Sequence, residues 1–101
     1  MSIAAIEELR AVAEVHPEAR TQAAWLWEIV LSLDDQQRGK FFRFVTGSSR
    51  RPSAGVTSFR IGPKSGGDGA YPFAHACANA LDMPSYSSRA VLRERLVAAV
   101  E

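Results

Sequence analysis

The feature that most narrows the possible folds of this chain is a change of period near Gly47. Before it, apolar residues recur at helical spacing; after it they alternate, and the helical spacing then returns. Residues 3–14, "IAAIEELRAVAE", place Ile3, Ile6, Leu9 and Val12 or Ala13 on one helical face. Their composition favours helix, and His16-Pro17 ends it because a residue before proline avoids the helical region. A second helix is predicted over residues 18–33, with Ala23, Leu26 or Trp27, Val30 and Leu31 or Leu33 facing inward. Asp34 and Gln37 have the spacing of a capping box, and Phe41, Phe42, Phe44 and Val45 fill the helix that follows. Gly47 can take the left-handed conformation that stops it.

Beyond Gly47 the signals are shorter. Residues 48–55, "SSRRPSAG", read as a loop, and "VTSFRIG" at 56–62 alternates as a strand does. "PKSGGDGAYP" reads as a flexible turn. A short strand is predicted from residue 73 to about Ala76, with Cys77 at its end and "DMPSY" turning the chain. Ser87 or Ser88 caps a last helix with Val91 or Leu92, Leu96 and Val100 inside. Helices first, then short strands, then a helix indicate an α+β domain with a short sheet packed against several helices. A length of 101 residues with 47% hydrophobic residues fits one such domain with a single core.

Composition excludes several functions. With 12 basic and 11 acidic residues, the net charge of +1 gives no general attraction to nucleic acid or an anionic membrane. No apolar run approaches the ~18 residues a membrane span needs. The N-terminus lacks the charged-then-apolar order of a signal peptide. One cysteine allows neither an internal disulfide nor a multi-cysteine metal site, and the expected compartment is a reducing one, cytosol or nucleus.

That cysteine lies in "YPFAHACANALDMPSY", residues 71–86. It reads three ways: an inert core thiol, half of an intermolecular disulfide, or a nucleophile. Ala74, Ala76, Ala78 and Ala80 put little side-chain volume around Cys77, as a site admitting a bulky reaction partner requires. The loop at a strand end is also where functional residues concentrate. His75 shares a face with Cys77 on an extended chain, either as a structural hydrogen-bonding residue or as a base.

Larger fragments carry a resemblance. "WLWEIVLSLDDQQRGKFFRFVTGSSRRP", then "AHACANALDMPSYSS", then "LRERLVAAVE" resemble, in order and spacing, the C-terminal lobe of HECT-type ubiquitin ligases. The resemblance runs from about Trp25 to Val100, and "IEELRAVAE" more loosely resembles the segment leading into the hinge between lobes. It implies residues 1–17 as a hinge-proximal helix and 18–101 as the lobe, cut from a longer ligase. It implies Cys77 as the nucleophile that accepts ubiquitin as a thioester from a conjugating enzyme and passes it to a substrate lysine, without metal or organic cofactor. His75 and Asn79 match the family's supporting positions. The implied partners are ubiquitin, a conjugating enzyme, the ligase's own N-terminal lobe and a substrate protein. Ala76 stands where the family usually has threonine, and Ala78 where it has an aromatic residue. Those departures raise an alternative, a non-catalytic ubiquitin-binding module on the same fold.

The remaining features read structurally. Trp25 and Trp27 point in different directions from one helix, one into the core and the other toward a partner surface, or both as packing residues. Arg50 and Arg51 read as solvated loop residues, and "KSGGDG" lacks the order of a phosphate-binding loop. Arg89, Arg93 and Arg95 are expected on the outer face of the last helix.

Overall fold

In the computed structural model, which describes residues 1–47 and 57–101, four helices pack on one face of a four-stranded sheet. The α+β expectation holds. The first helix, α1, spans Ile3–Ala11 and starts at Ser2, whose hydroxyl accepts from the Ala5 N–H at 3.2 Å. Ile6 and Leu9 of the expected face are fully buried, but Ile3, expected beside them, is 51% exposed because it lies in the helix's first turn, beyond the core. The helix ends three residues earlier than the predicted residue 14. Ala13–Val15 instead form strand β1, parallel to the later strand β2, Phe59–Lys64. A distant strand supplies backbone partners there, and the His16 N–H continues the pairing to the Ile61 carbonyl at 2.9 Å.

His16 Nδ1 accepts from the Glu18 N–H at 3.1 Å and caps a single 3-10 turn, Pro17–Ala19. Helix α2 then runs Arg20–Ser32 and buries Ala23, Leu26, Trp27, Ile29 and Val30. Trp27 is a core residue, meeting Phe59 edge to face at 6.0 Å, whereas Trp25 is half-buried against the same core. Helix α3, Asp35–Thr46, begins with the predicted capping box: the Gln37 N–H donates to Asp34 at 2.8 Å. It ends at Gly47 with φ of 73°, whose N–H donates to the Arg43 carbonyl. Arg38 is buried on this helix and donates to the carbonyls of Met1 and Leu33 and to Asp35. These acceptors satisfy a charge that would be costly to bury alone.

Strands β2 (Phe59–Lys64), β3 (Phe73–His75) and β4 (Ala80–Pro84) complete a sheet in the order β1-β2-β4-β3. β2 lies parallel to β1 and β4, and β3 antiparallel to β4. Phe59, Ile61, Leu81 and Met83 point into the helices and join Leu26, Phe41, Phe42 and Leu92 in one core. Two expectations are corrected. Pro63 and Lys64, read as turn, belong to β2, and "DMP" of the expected "DMPSY" turn belongs to β4. β4 is paired on both sides, so neighbours decide its conformation where the local Asp and Pro signals point to a turn. The predicted loop at 48–55, including Arg50 and Arg51, and the first residue of the predicted strand lie outside the described residues.

Ser88 caps the last helix, α4 (Arg89–Val100), accepting from the Val91 N–H at 3.3 Å; Leu92 and Leu96 are its buried residues. Its arginines do more than face solvent. Arg89 pairs with Glu28 and Arg93 donates to Ser32, both on α2, while Arg95 donates to the Asp68 carbonyl and lies over the Tyr71 ring.

Candidate active site

Strand β3 stops at His75, and Ala76, Cys77 and Ala78 form a single 3-10 turn. Asn79 closes the turn in the left-handed region, with φ of 49°, and its N–H donates to the Ala76 carbonyl at 3.3 Å. Asn tolerates that conformation better than other residues with a Cβ. Its carbonyl accepts from the Arg60 N–H at 3.0 Å and its side-chain amide reaches the Ser58 carbonyl at 3.4 Å. Asn79 thereby ties the turn to the start of β2.

Cys77 is exposed on this turn, which removes the buried-thiol alternative. Ala78 beside it is exposed and Ala76 half-buried, so its chain neighbours carry only methyl side chains. His75 belongs to the same stretch, but its imidazole is engaged elsewhere: Nε2 lies 2.9 Å from Oδ2 of Asp82 on β4. The Phe73 ring meets the imidazole edge to face at 4.9 Å. The sequence singled out His75, Ala76, Cys77 and Asn79, and the structure brings them into one hairpin connection. It missed Asp82. The alternation Ala80, Leu81, Asp82, Met83 carried the signal, since it puts Asp82 on the face opposite the core.

That outer face is open. A cleft of about 450 Å³ lies over it, lined by Glu14, His16, Arg60, Gly62, Ala80 and Asp82 among others. Among the described residues, no three His, Cys, Asp or Glu side chains converge as metal ligands would. No helix there is long and apolar enough to cross a membrane. Chemically, the turn offers a thiol exposed among the described residues.

The HECT-domain (ubiquitin-transferase) family profile matches residues 2–101, nearly the whole length. The chain belongs to the HECT-domain family. It is 39% identical over 101 residues to E3 ubiquitin-protein ligase pub3 of Schizosaccharomyces pombe, a match covering 85% of this chain and 13% of that protein. It is 33% identical over 107 residues to E3 ubiquitin-protein ligase HUWE1 of Mus musculus, covering 95% of this chain and 2% of the other. With E3 ubiquitin-protein ligase UPL1 of Arabidopsis thaliana the identity is 35% over 85 residues, covering 75% and 2%. This HECT-domain chain thus spans a small part of the relatives it matches. The resemblance carried by "FVTGSSR" and "AHACAN" is shown at the level of the family.

Proposed function

We propose that the chain is the thioester-forming C-terminal lobe of a HECT-type ubiquitin ligase, with residues 1–17 on the hinge side and Cys77 as nucleophile. Membership of the HECT-domain family supports the reading. The single observation that carries it to a residue is the exposed Cys77 on a turn of small side chains. The Cys77 thiolate attacks the thioester carbonyl of a ubiquitin-loaded conjugating enzyme, and that enzyme's cysteine departs as thiolate. A substrate lysine amine then attacks the new thioester and forms an amide, and the Cys77 sulfur leaves in turn. The partners are ubiquitin, the conjugating enzyme, the ligase's N-terminal lobe and the substrate protein, in an intracellular compartment where the thiol stays reduced.

The test uses the two-lobed ligase that carries this lobe, with activating enzyme, conjugating enzyme, ATP and ubiquitin. A thiol-labile ubiquitin adduct that disappears in Cys77→Ala is expected. An adduct of normal yield in that variant removes Cys77 from the mechanism. Ala76 and Ala78, in place of the family's usual threonine and aromatic residue, favour a second reading as a non-catalytic ubiquitin-binding module. It requires ubiquitin binding in an NMR titration with no adduct in the two-lobed protein.

A further inference from the structure

The register of the sheet brings three outer-face residues together beside the turn that bears Cys77. Gly62 of β2 pairs with Asp82 of β4, and Asp82 with Phe73 of β3; in the next row Arg60 pairs with Ala80, and Ala80 with His75. Alternate residues of a strand share a face, so Asp82, Phe73 and His75 all project away from the core. The two oxygens of Asp82 have different neighbours. Oδ2 lies 2.9 Å from His75 Nε2, and Oδ1 leans over Gly62, where an added Cβ would stand 3.3 Å from it. The bare backbone of Gly62 leaves the space the carboxylate occupies. Phe73 braces the imidazole edge-on at 4.9 Å.

The chemistry of this contact fixes more than orientation. An ionised carboxylate only accepts hydrogen bonds, so in the neutral ring the proton sits on Nε2 and Nδ1 is left as the acceptor. Nδ1 is the nitrogen on the backbone side of the ring, and the backbone reaches Cys77 two residues on. We propose that Asp82, given room by Gly62, is a positioning residue for the transfer step: it holds His75 as the Nε2–H tautomer with Nδ1 open to the attacking amine. The inference rests on the reading of Cys77 as thioester carrier. In the step, the amine nitrogen bonds to the thioester carbonyl carbon and the carbon–sulfur bond breaks. Sulfur departs as thiolate, and the proton leaving the nitrogen goes to Nδ1, forming an imidazolium beside the Asp82 carboxylate.

Two measurements test this. In the ¹⁵N-labelled chain, long-range ¹H–¹⁵N spectra of the His75 ring should show the Nε2–H tautomer in the wild type. Asp82→Asn, which offers an amide donor to Nε2, should move the ring toward Nδ1–H. In the two-lobed ligase, single-turnover assays should separate loading of Cys77 from discharge onto free lysine. Asp82→Asn and Asp82→Ala should load within about twofold of wild type and discharge about tenfold or more slowly. Gly62→Ala, which displaces the carboxylate without removing it, should fall between; it decides the matter if the Asp82 variants do not fold. An Nδ1–H ring in the wild type, or wild-type discharge in the variants that fold, overturns the proposal. A wild-type protein that forms no Cys77 adduct overturns the function reading instead, and the tautomer spectra still decide what Asp82 does.

Discussion

The Cβ of Ala76 lies 3.4 Å from the point a Cβ on Gly47 would occupy, so the end of α3 is pressed against the turn that carries Cys77. Gly47 has φ of 73°, a conformation that residues with a Cβ rarely adopt. The helix stop and the support of the turn are therefore one contact.

Gly47→Ala is expected to lower stability by about 1–2 kcal/mol, the cost of a left-handed residue with a Cβ. The added methyl also meets Ala76. Urea denaturation measures the first effect, and amide chemical shifts of Ala76 to Asn79 report the second. Shifts confined to residues near 47 would show that the two segments are independent.

Ala76→Thr should load Cys77 as before and discharge it faster. On the reading of Cys77 as thioester carrier, a hydroxyl on the residue before it restores the hydrogen-bonding group that the Ala76 methyl lacks. A neutral hydrogen bond is worth about 1 kcal/mol net, which corresponds to about fivefold in rate. Single-turnover discharge onto lysine reads the effect. An unchanged rate shows that this lobe does without the hydroxyl.

Asp68 joins the Gly-rich turn to the start of α4, accepting from the Ser87 hydroxyl at 2.6 Å and the Ser87 N–H at 2.8 Å. Those bonds, the hydroxyl's foremost, hold the Asp68 carboxyl below its ordinary value of 3.8. A depressed folded value means the folded state binds the proton more weakly. The contribution is therefore complete above the ordinary value and is lost as pH falls from there through the folded one. Wild type should exceed Asp68→Asn in urea midpoint at about pH 6 and lose that advantage in acid. A difference independent of pH would contradict this.

Tyr86 behaves in the opposite sense. It is buried, its hydroxyl donates to the Ala70 carbonyl at 2.7 Å, and burial pushes its pKa from 10.0 up to about 12. The folded state here holds the proton more tightly than the unfolded state. The Tyr86 contribution is complete below the ordinary value of 10.0 and disappears as pH rises through about 12. Tyr86→Phe should lack that alkaline loss and be about 1 kcal/mol less stable at neutral pH, through the missing hydrogen bond. The tyrosinate absorbance difference between the two proteins gives the titration directly.

Much of the fold was legible because local rules govern it. The helical faces of α1, α2 and α4, the Asp34–Gln37 capping box and the Gly47 stop all follow from contacts within a few residues. β1 and β4 were not legible. Ala13–Val15 lie at the end of a helical pattern, and Ala80–Pro84 carry turn residues, yet both become strands because β2 offers them backbone partners. The site divides the same way: "AHACAN" exposed His75, Cys77 and Asn79 to a sequence reading, but not the carboxylate that engages the imidazole.

The order of residues alone determined the α+β class, the helix caps and the family, and singled out Cys77 as a candidate, since each depends on neighbours along the chain or on motif fragments that keep their order even where Ala76 and Ala78 depart from the usual residues. Tertiary structure alone decided strands β1 and β4, the exposure of the thiol and the Gly62–Asp82–His75 contact. Strand register joins residues far apart in sequence, and a side chain's partners there are set by which backbones pair, a choice made by the whole core rather than by any one segment.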